Sequence, residues 1–184
     1  RAWLDHLPAE YLRYFYASRL GPGVEDLDLN LDEFVTKVNS DLVGKLVNIA
    51  SRCATLITRN CGGRLADRLP ESALYEEFVA AGTRIGEAYE GRDLACVVRE
   101  IMALADRANL YIDQHKPWLM ARDPARAGDV QGVCSQGLNL FRLLVLYLKP
   151  VLPRLAASAE RFLGLGPQQW DDRARPLLGS SIGT

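Results

Sequence analysis

The sequence predicts an all-α protein, an antiparallel helix bundle, and three observations carry that expectation. Apolar side chains recur at three- and four-residue spacing through most of the 184 residues, as the buried stripe of a helix requires. No segment alternates apolar and polar residues with the period of two that marks a half-buried strand. The breaks between periodic segments are short and hold glycine or proline, and a short connection folds consecutive helices back on one another.

Residues 8–20 read as a short amphipathic helix, with Leu12, Phe15, Tyr16 and Leu20 on one side and Pro8 in the first turn, where a missing N–H is tolerated. Gly21-Pro22-Gly23 stops it. The acidic connection 24–31 leads to Asp32, which reads as the N-cap of a long helix running to about Arg59. Its apolar row is Phe34, Val38, Leu42, Leu46, Ile49, Cys53, Leu56 and Ile57, and Gly62-Gly63 supplies a left-handed stop. A third helix is expected from Glu71 to Glu90, with Leu74, Phe78, Ala81, Ile85 and Tyr89 inward. A fourth runs from about Arg92 to His115 on Val97, Ile101, Leu104, Ala105, Ala108, Tyr111 and Ile112, and Pro117 ends it. After the Asp123-Pro124 turn, residues 130–148 form a strongly apolar helix, and Pro150 is placed to open the next, which stops near Gly164. The bundle thus spans residues 32–163, and residues 164–184 read as an irregular tail over the surface.

Composition narrows the class. The hydrophobic content of 48% is broken every few residues by charge, and no apolar run approaches the roughly 20 residues of a membrane span. A net charge of −1 argues against a nonspecific nucleic-acid wrapper. It leaves room for a local basic face: acidic residues concentrate at 25–33, and Lys37, Lys45, Arg52, Arg59, Arg64 and Arg68 follow. Cys53, Cys61, Cys96 and Cys134 form no Cys-x-x-Cys pair, and neither His6 nor His115 has a ligand at metal-binding spacing. That pattern fits buried thiols in a reducing, cytoplasmic compartment better than a disulfide framework or a metal site, and no cofactor is expected in this chain.

Two groups of residues could carry function. Trp118 follows Pro117 at a helix end, so its indole either folds back over that end as a core residue or presents a face for a planar group. On the long second helix, Lys37, Asp41, Lys45, Asn48, Arg52, Thr55 and Arg59 occupy the row opposite the apolar stripe. Asn48 and Arg52 sit one turn apart, about 6 Å of rise, so an amide and a planar guanidinium could act together. Asp113 reads by itself as a surface charge or a hydrogen-bond acceptor.

Asn48-Ile49-Ala50-Ser51-Arg52, then residues 99–106 (Arg-Glu-Ile-Met-Ala-Leu-Ala-Asp), Tyr111-Ile112-Asp113 and Pro117-Trp118 together resemble the anticodon-binding helical domain of the bacterial methionyl-tRNA synthetases. Residues 10–15 and Leu27-Asp28-Leu29-Asn30 are similar to that family's link between catalytic core and bundle, which makes residues 1–31 a connector. The resemblance implies that Trp118 stacks on an anticodon base, Asn48 and Arg52 contribute to anticodon recognition, Pro117 orients the indole, and Asp113 borders the pocket. It implies tRNA with a CAU anticodon as partner, together with the chain's own catalytic domain, and neither membrane nor DNA. The full-length enzyme would be a ligase using ATP with magnesium and methionine, yet no His-Ile-Gly-His-like or Lys-Met-Ser-Lys-Ser-like motif occurs here. An apolar patch of Trp3, Leu12, Phe15 and Tyr16 would face the catalytic domain. Two rival readings are a helical protein-interaction module anchored by Trp3, Trp118 and Trp170, and a small-molecule-binding bundle. Lacking an adenylate-forming site, this chain is expected to show no methionine-dependent ATP–pyrophosphate exchange; exchange by the purified protein would contradict that division of labour.

Overall fold

The computed structural model describes residues 7–23 and 26–183, so Trp3 and His6 lie outside the described residues. The order is α1 (Ala9–Ala17), α2 (Leu31–Val38), a π-helical segment (Asn39–Val47), α3 (Asn48–Cys61), α4 (Ser72–Glu90), α5 (Leu94–His115), α6 (Pro117–Met120), α7 (Ala127–Leu148) and α8 (Pro153–Phe162). No strand occurs among the described residues; a single antiparallel bridge joins Arg64 and Ser181. None of the described helices is long and apolar enough to cross a membrane.

α7 is the hub. Its residues from Gly132 to Leu148 are buried without a break, and it packs against α3, α4, α5, α6 and α8. The four long helices α3, α4, α5 and α7 alternate in direction. The pairs α3 with α5, and α4 with α7, therefore run parallel, and Tyr75 reaches Arg142 just as Phe78 accepts from Tyr147.

The second helix is continuous over residues 31–61 but changes pitch at its centre. Phe34, Val38, Leu42 and Leu46 are spaced by four, which in an α-helix would carry the stripe about 40° around the axis at each step. The wider π turn reduces that drift between Val38 and Leu46, and the buried row continues through Ile49, Cys53 and Ile57 in α3. Asn30, not Asp32, is the N-cap: its Oδ1 accepts from the N–H groups of Asp32 at 3.0 Å and Glu33 at 3.2 Å. Gly62 closes α3 at φ 58°.

Other elements depart from the periodicity in physically legible ways. In α1 the core residues are Tyr14, Phe15 and Ala17, and Leu20 is exposed because the helix has already ended. Of the expected patch, Phe15 is buried, Leu12 and Tyr16 are half-buried and Trp3 lies outside the described residues; exposed apolar side chains along α2 and the π segment are Leu31, Val35, Val43 and Val47. α5 begins at Leu94, with Asp93 capping Cys96, because left-handed Arg92 (φ 59°) cannot be its first turn. α7 begins early, from a 3-10 turn at Pro124–Arg126. Pro153, rather than Pro150, opens α8: it biases Leu152 out of helical angles, which would break a helix begun at Pro150. The carboxylate of Glu10 then accepts from the first free N–H groups of α8, at Arg154 and Leu155.

The C-terminal tail is irregular apart from one 3-10 turn, Trp170–Ala174, but it does not merely cross the surface. Asn139 of α7 holds Leu177 through both its N–H and its carbonyl. Arg142, only 2% exposed, donates to Tyr75, to the Gln168 side chain and to the carbonyls of Asp172 and Arg175. Leu65 and Ser180, then Ile182 and Gly63, pair through their backbones. Trp170 packs on Tyr147, 5.1 Å between ring centroids, so this tryptophan seals the tail instead of presenting an anchor.

Tight approach to α7 is tested by glycine. A Cβ on Gly137 would lie 2.6 Å from the Cys53 sulfur and 3.2 Å from Ile112, whereas one on Gly128 meets nothing within 4 Å. Gly137→Ala should destabilise the fold in urea denaturation by about 1–3 kcal/mol, and Gly128→Ala should leave it unchanged or stabilise it by up to about 1 kcal/mol.

Candidate nucleic-acid interface

The turn that carries the tryptophan is built from three consecutive residues. Lys116 ends α5 in the left-handed region, at φ 48° and ψ 57°. Pro117 is buried and occupies the first position of the one-turn helix α6, where its fixed φ suits the start and its absent N–H is not needed. Trp118 follows, 37% exposed. Pro117 therefore begins a second helix at the point where it ends the first, and its buried ring fixes the direction in which the indole leaves the bundle.

The guanidinium of Arg52 lies over the Trp118 ring, 4.5 Å from its centroid, and also pairs with the Asp113 carboxylate. Ser51, Arg52, Thr55, Leu56 and Trp118 line an open depression of about 550 Å³. Trp118, Pro117, Arg52 and Asp113 thus form one cluster at the C-terminal end of α5.

Asn48 stands one turn before Arg52, and its Nδ2 donates to Asn109 Oδ1 at 3.3 Å. Lys45 pairs with Asp106 at 2.8 Å. Each of these partners lies 61 residues on from the residue it meets, so a polar ladder joins the parallel helices α3 and α5. The row expected opposite the apolar stripe therefore faces a neighbouring helix over much of its length. Asp41 departs furthest: it is buried, accepts from Tyr14 at 2.7 Å and pairs with Lys37 at 2.9 Å. Burial, and then the Asp41 charge, push the Tyr14 phenol far above its ordinary range. Thr55 donates to the Ser51 carbonyl, and Arg59 is exposed with no carboxylate partner among the described residues.

Asp106 and Asn109 escaped the sequence reading. The available signal was a matched spacing: Lys45, Asn48 and Arg52 step by three and then four, and Asp106, Asn109 and Asp113 do the same.

Other polar groups are less convergent. A wider cleft of about 840 Å³ on the far side of the turn includes Arg68, His115, Met120, Arg126 and Gln131. His115 stacks on Tyr111, 4.3 Å between centroids, and Tyr111's phenol is pushed up by burial and then by Glu71. Hydrogen bonding to Cys53, and then burial, push the Cys134 thiol up, as expected of unreactive core cysteines. Among the described residues no group of three His, Cys, Asp or Glu could hold a metal ion.

The site thus offers an aromatic surface against a planar cation, with an amide one turn along the helix from that cation, a set suited to flat, hydrogen-bonding ligands. Comparison with known proteins gives two findings. Residues 1–54 match the family model described as tRNA synthetases class I (M). The whole chain superposes on Mycobacterium tuberculosis methionyl-tRNA synthetase in complex with methionyl-adenylate, with a TM-score of 0.89 at 22% identity, covering 100% of this chain and 38% of that one. The apo form of the same enzyme gives 0.89 at 22% identity, covering 99% and 38%. A further structure bound by methionyl-adenylate gives 0.86 at 21% identity, again covering 99% and 38%. The chain spans little more than a third of those enzymes; over that span it has the fold of methionyl-tRNA synthetase, and its first 54 residues match the methionyl class I synthetase family.

Proposed function

We propose that this chain is the anticodon-binding part of a methionyl-tRNA synthetase and reads the CAU anticodon of methionine tRNA. The observation that carries the proposal is the exposed Trp118 ring beside Arg52, one turn from Asn48. Anticodon bases are single-stranded and can be splayed out, stacked on an aromatic ring and read at their edges. Trp118 supplies the ring, Arg52 a cation against it, and Asn48 a base-edge amide. Pro117 sets the indole's direction, and Asp113 holds Arg52 beside it.

Charge supports the same reading. Lys45 and Arg52 are matched by Asp106 and Asp113, whereas Arg59, Lys116 and Arg122, which flank the depression in sequence, have no carboxylate partner among the described residues. Unpaired cations beside a stacking surface suit a phosphate backbone and make affinity salt-dependent. The remainder of the synthetase would supply ATP, magnesium and methionine chemistry. It would pack on the exposed row Leu31, Val35, Val43 and Val47.

Titration of a CAU stem-loop into purified variants at fixed salt tests the proposal, with thermal unfolding measured on the same samples. Trp118→Ala should weaken binding about 5–150-fold, the equivalent of one lost stacked base, and leave the melting temperature almost unchanged. Arg52→Ala should weaken binding too, and Asn48→Ala should mainly erode discrimination between anticodons. A folded Trp118→Ala protein that binds as tightly as the parent would rule the stacking role out. Binding indifferent to the anticodon would favour a protein-interaction module.

A further inference from the structure

Asn109 makes the side-chain hydrogen bonds that decide which way the Asn48 amide faces. Its Nδ2 donates to the Lys45 carbonyl at 3.1 Å and to the Ala105 carbonyl at 2.9 Å, one on each helix. Backbone carbonyls only accept, so the Asn109 amide has a single allowed orientation, with Oδ1 turned to Asn48. Asn48 must then turn its own NH₂ inward, and it does, at 3.3 Å. Its carbonyl oxygen is left without a partner among the described residues. The Lys45 carbonyl lies in the last turn of the π segment, immediately before α geometry resumes at Asn48.

Resting on the anticodon reading above, we infer that Asn109 is a positioning residue that fixes the polarity of the Asn48 amide and so makes this position selective for cytosine or adenine, whose 4- or 6-position carries an amino group where uracil and guanine carry a keto oxygen. Cytosine and adenine place an amino donor next to a ring-nitrogen acceptor, and uracil and guanine place a carbonyl acceptor next to a ring N–H donor. The two patterns are mirror images. An amide free to flip suits either group at that position, whereas one held with its oxygen outward accepts from the amino group and sets lone pair against lone pair at the keto oxygen. Selectivity at this position thus arises from a residue that touches no base.

The test compares stem-loops with CAU, UAU and CGU anticodons, each change replacing an amino group by a keto oxygen at the same ring position. The base read at this position is the one whose substitution penalty Asn48→Ala removes; in the parent that penalty should be roughly 5–150-fold. Asn109→Ala should reduce that penalty to nearly none while the Trp118-dependent affinity for CAU persists. Asn109→Ser, which can still donate to the Ala105 carbonyl, should do the same if the alanine variant folds poorly. Independently of RNA, side-chain ¹⁵N–¹H spectra of the parent should show one slowly exchanging Asn48 N–H that is lost in both variants. A full penalty in either folded Asn109 variant, or an equal loss of affinity for all three loops, would overturn the inference alone. A parent protein that binds no loop would overturn the anticodon reading and this inference with it.

Discussion

α7 has no solvent face along most of its length, and that constraint organises the molecule. A helix apolar all round must be enclosed by other elements. Here α3, α4 and α5 surround it and the C-terminal tail covers what they leave. Its buried polar residues serve this wrapping: Ser135 accepts from the Ala66 N–H, Gln136 from the Glu71 N–H, and Asn139 and Arg142 hold the tail. Each satisfies backbone groups of segments without regular structure, which would otherwise lose water on burial at a cost of about 1–3 kcal/mol apiece.

Enclosing α7 sets α3 and α5 side by side and parallel, and the cluster of Arg52, Asp113, Pro117 and Trp118 follows from that placement. Exposed ion pairs such as Lys45 with Asp106 and Arg52 with Asp113 contribute only about 0–1 kcal/mol each, so the ladder is a poor source of stability. It is well suited to aiming side chains. Packing of α3 and α5 on α7 fixes the two backbones, and the ladder then fixes the orientation of an amide and a guanidinium at their edge. Left-handed Lys116 and buried Pro117 do the same for Trp118, by backbone geometry in place of charge.

Much of this was legible in the sequence because it depends on local pattern. Every long helix announced itself through apolar spacing, and the Pro117-Trp118 boundary followed from proline's missing N–H. What was illegible depends on which helix lies opposite. The row from Lys37 to Arg59 has the composition of a solvated face, and only the approach of α1 and α5 turns Asp41 into a buried acceptor and Asn48 into one half of an amide pair. The π segment was illegible too, because the four-residue spacing of Phe34, Val38, Leu42 and Leu46 recurs at Ile49, Cys53 and Ile57 in α geometry. How the tail is held was illegible for a related reason. Its glycines and prolines disclose irregular backbone and say nothing of the asparagine and arginine in α7 that hold it down.

The central claim, that this framework presents Trp118 to an RNA base, is tested most directly by the fluorescence of Trp118 itself. In a Trp3→Phe, Trp170→Phe protein the remaining indole reports only on this site. The account predicts saturable quenching on addition of a CAU stem-loop, and loss of that quenching when the stacked anticodon nucleotide is replaced by an abasic one. Equal quenching by loops made abasic at each anticodon position in turn, or no quenching while the loop is bound, would contradict it.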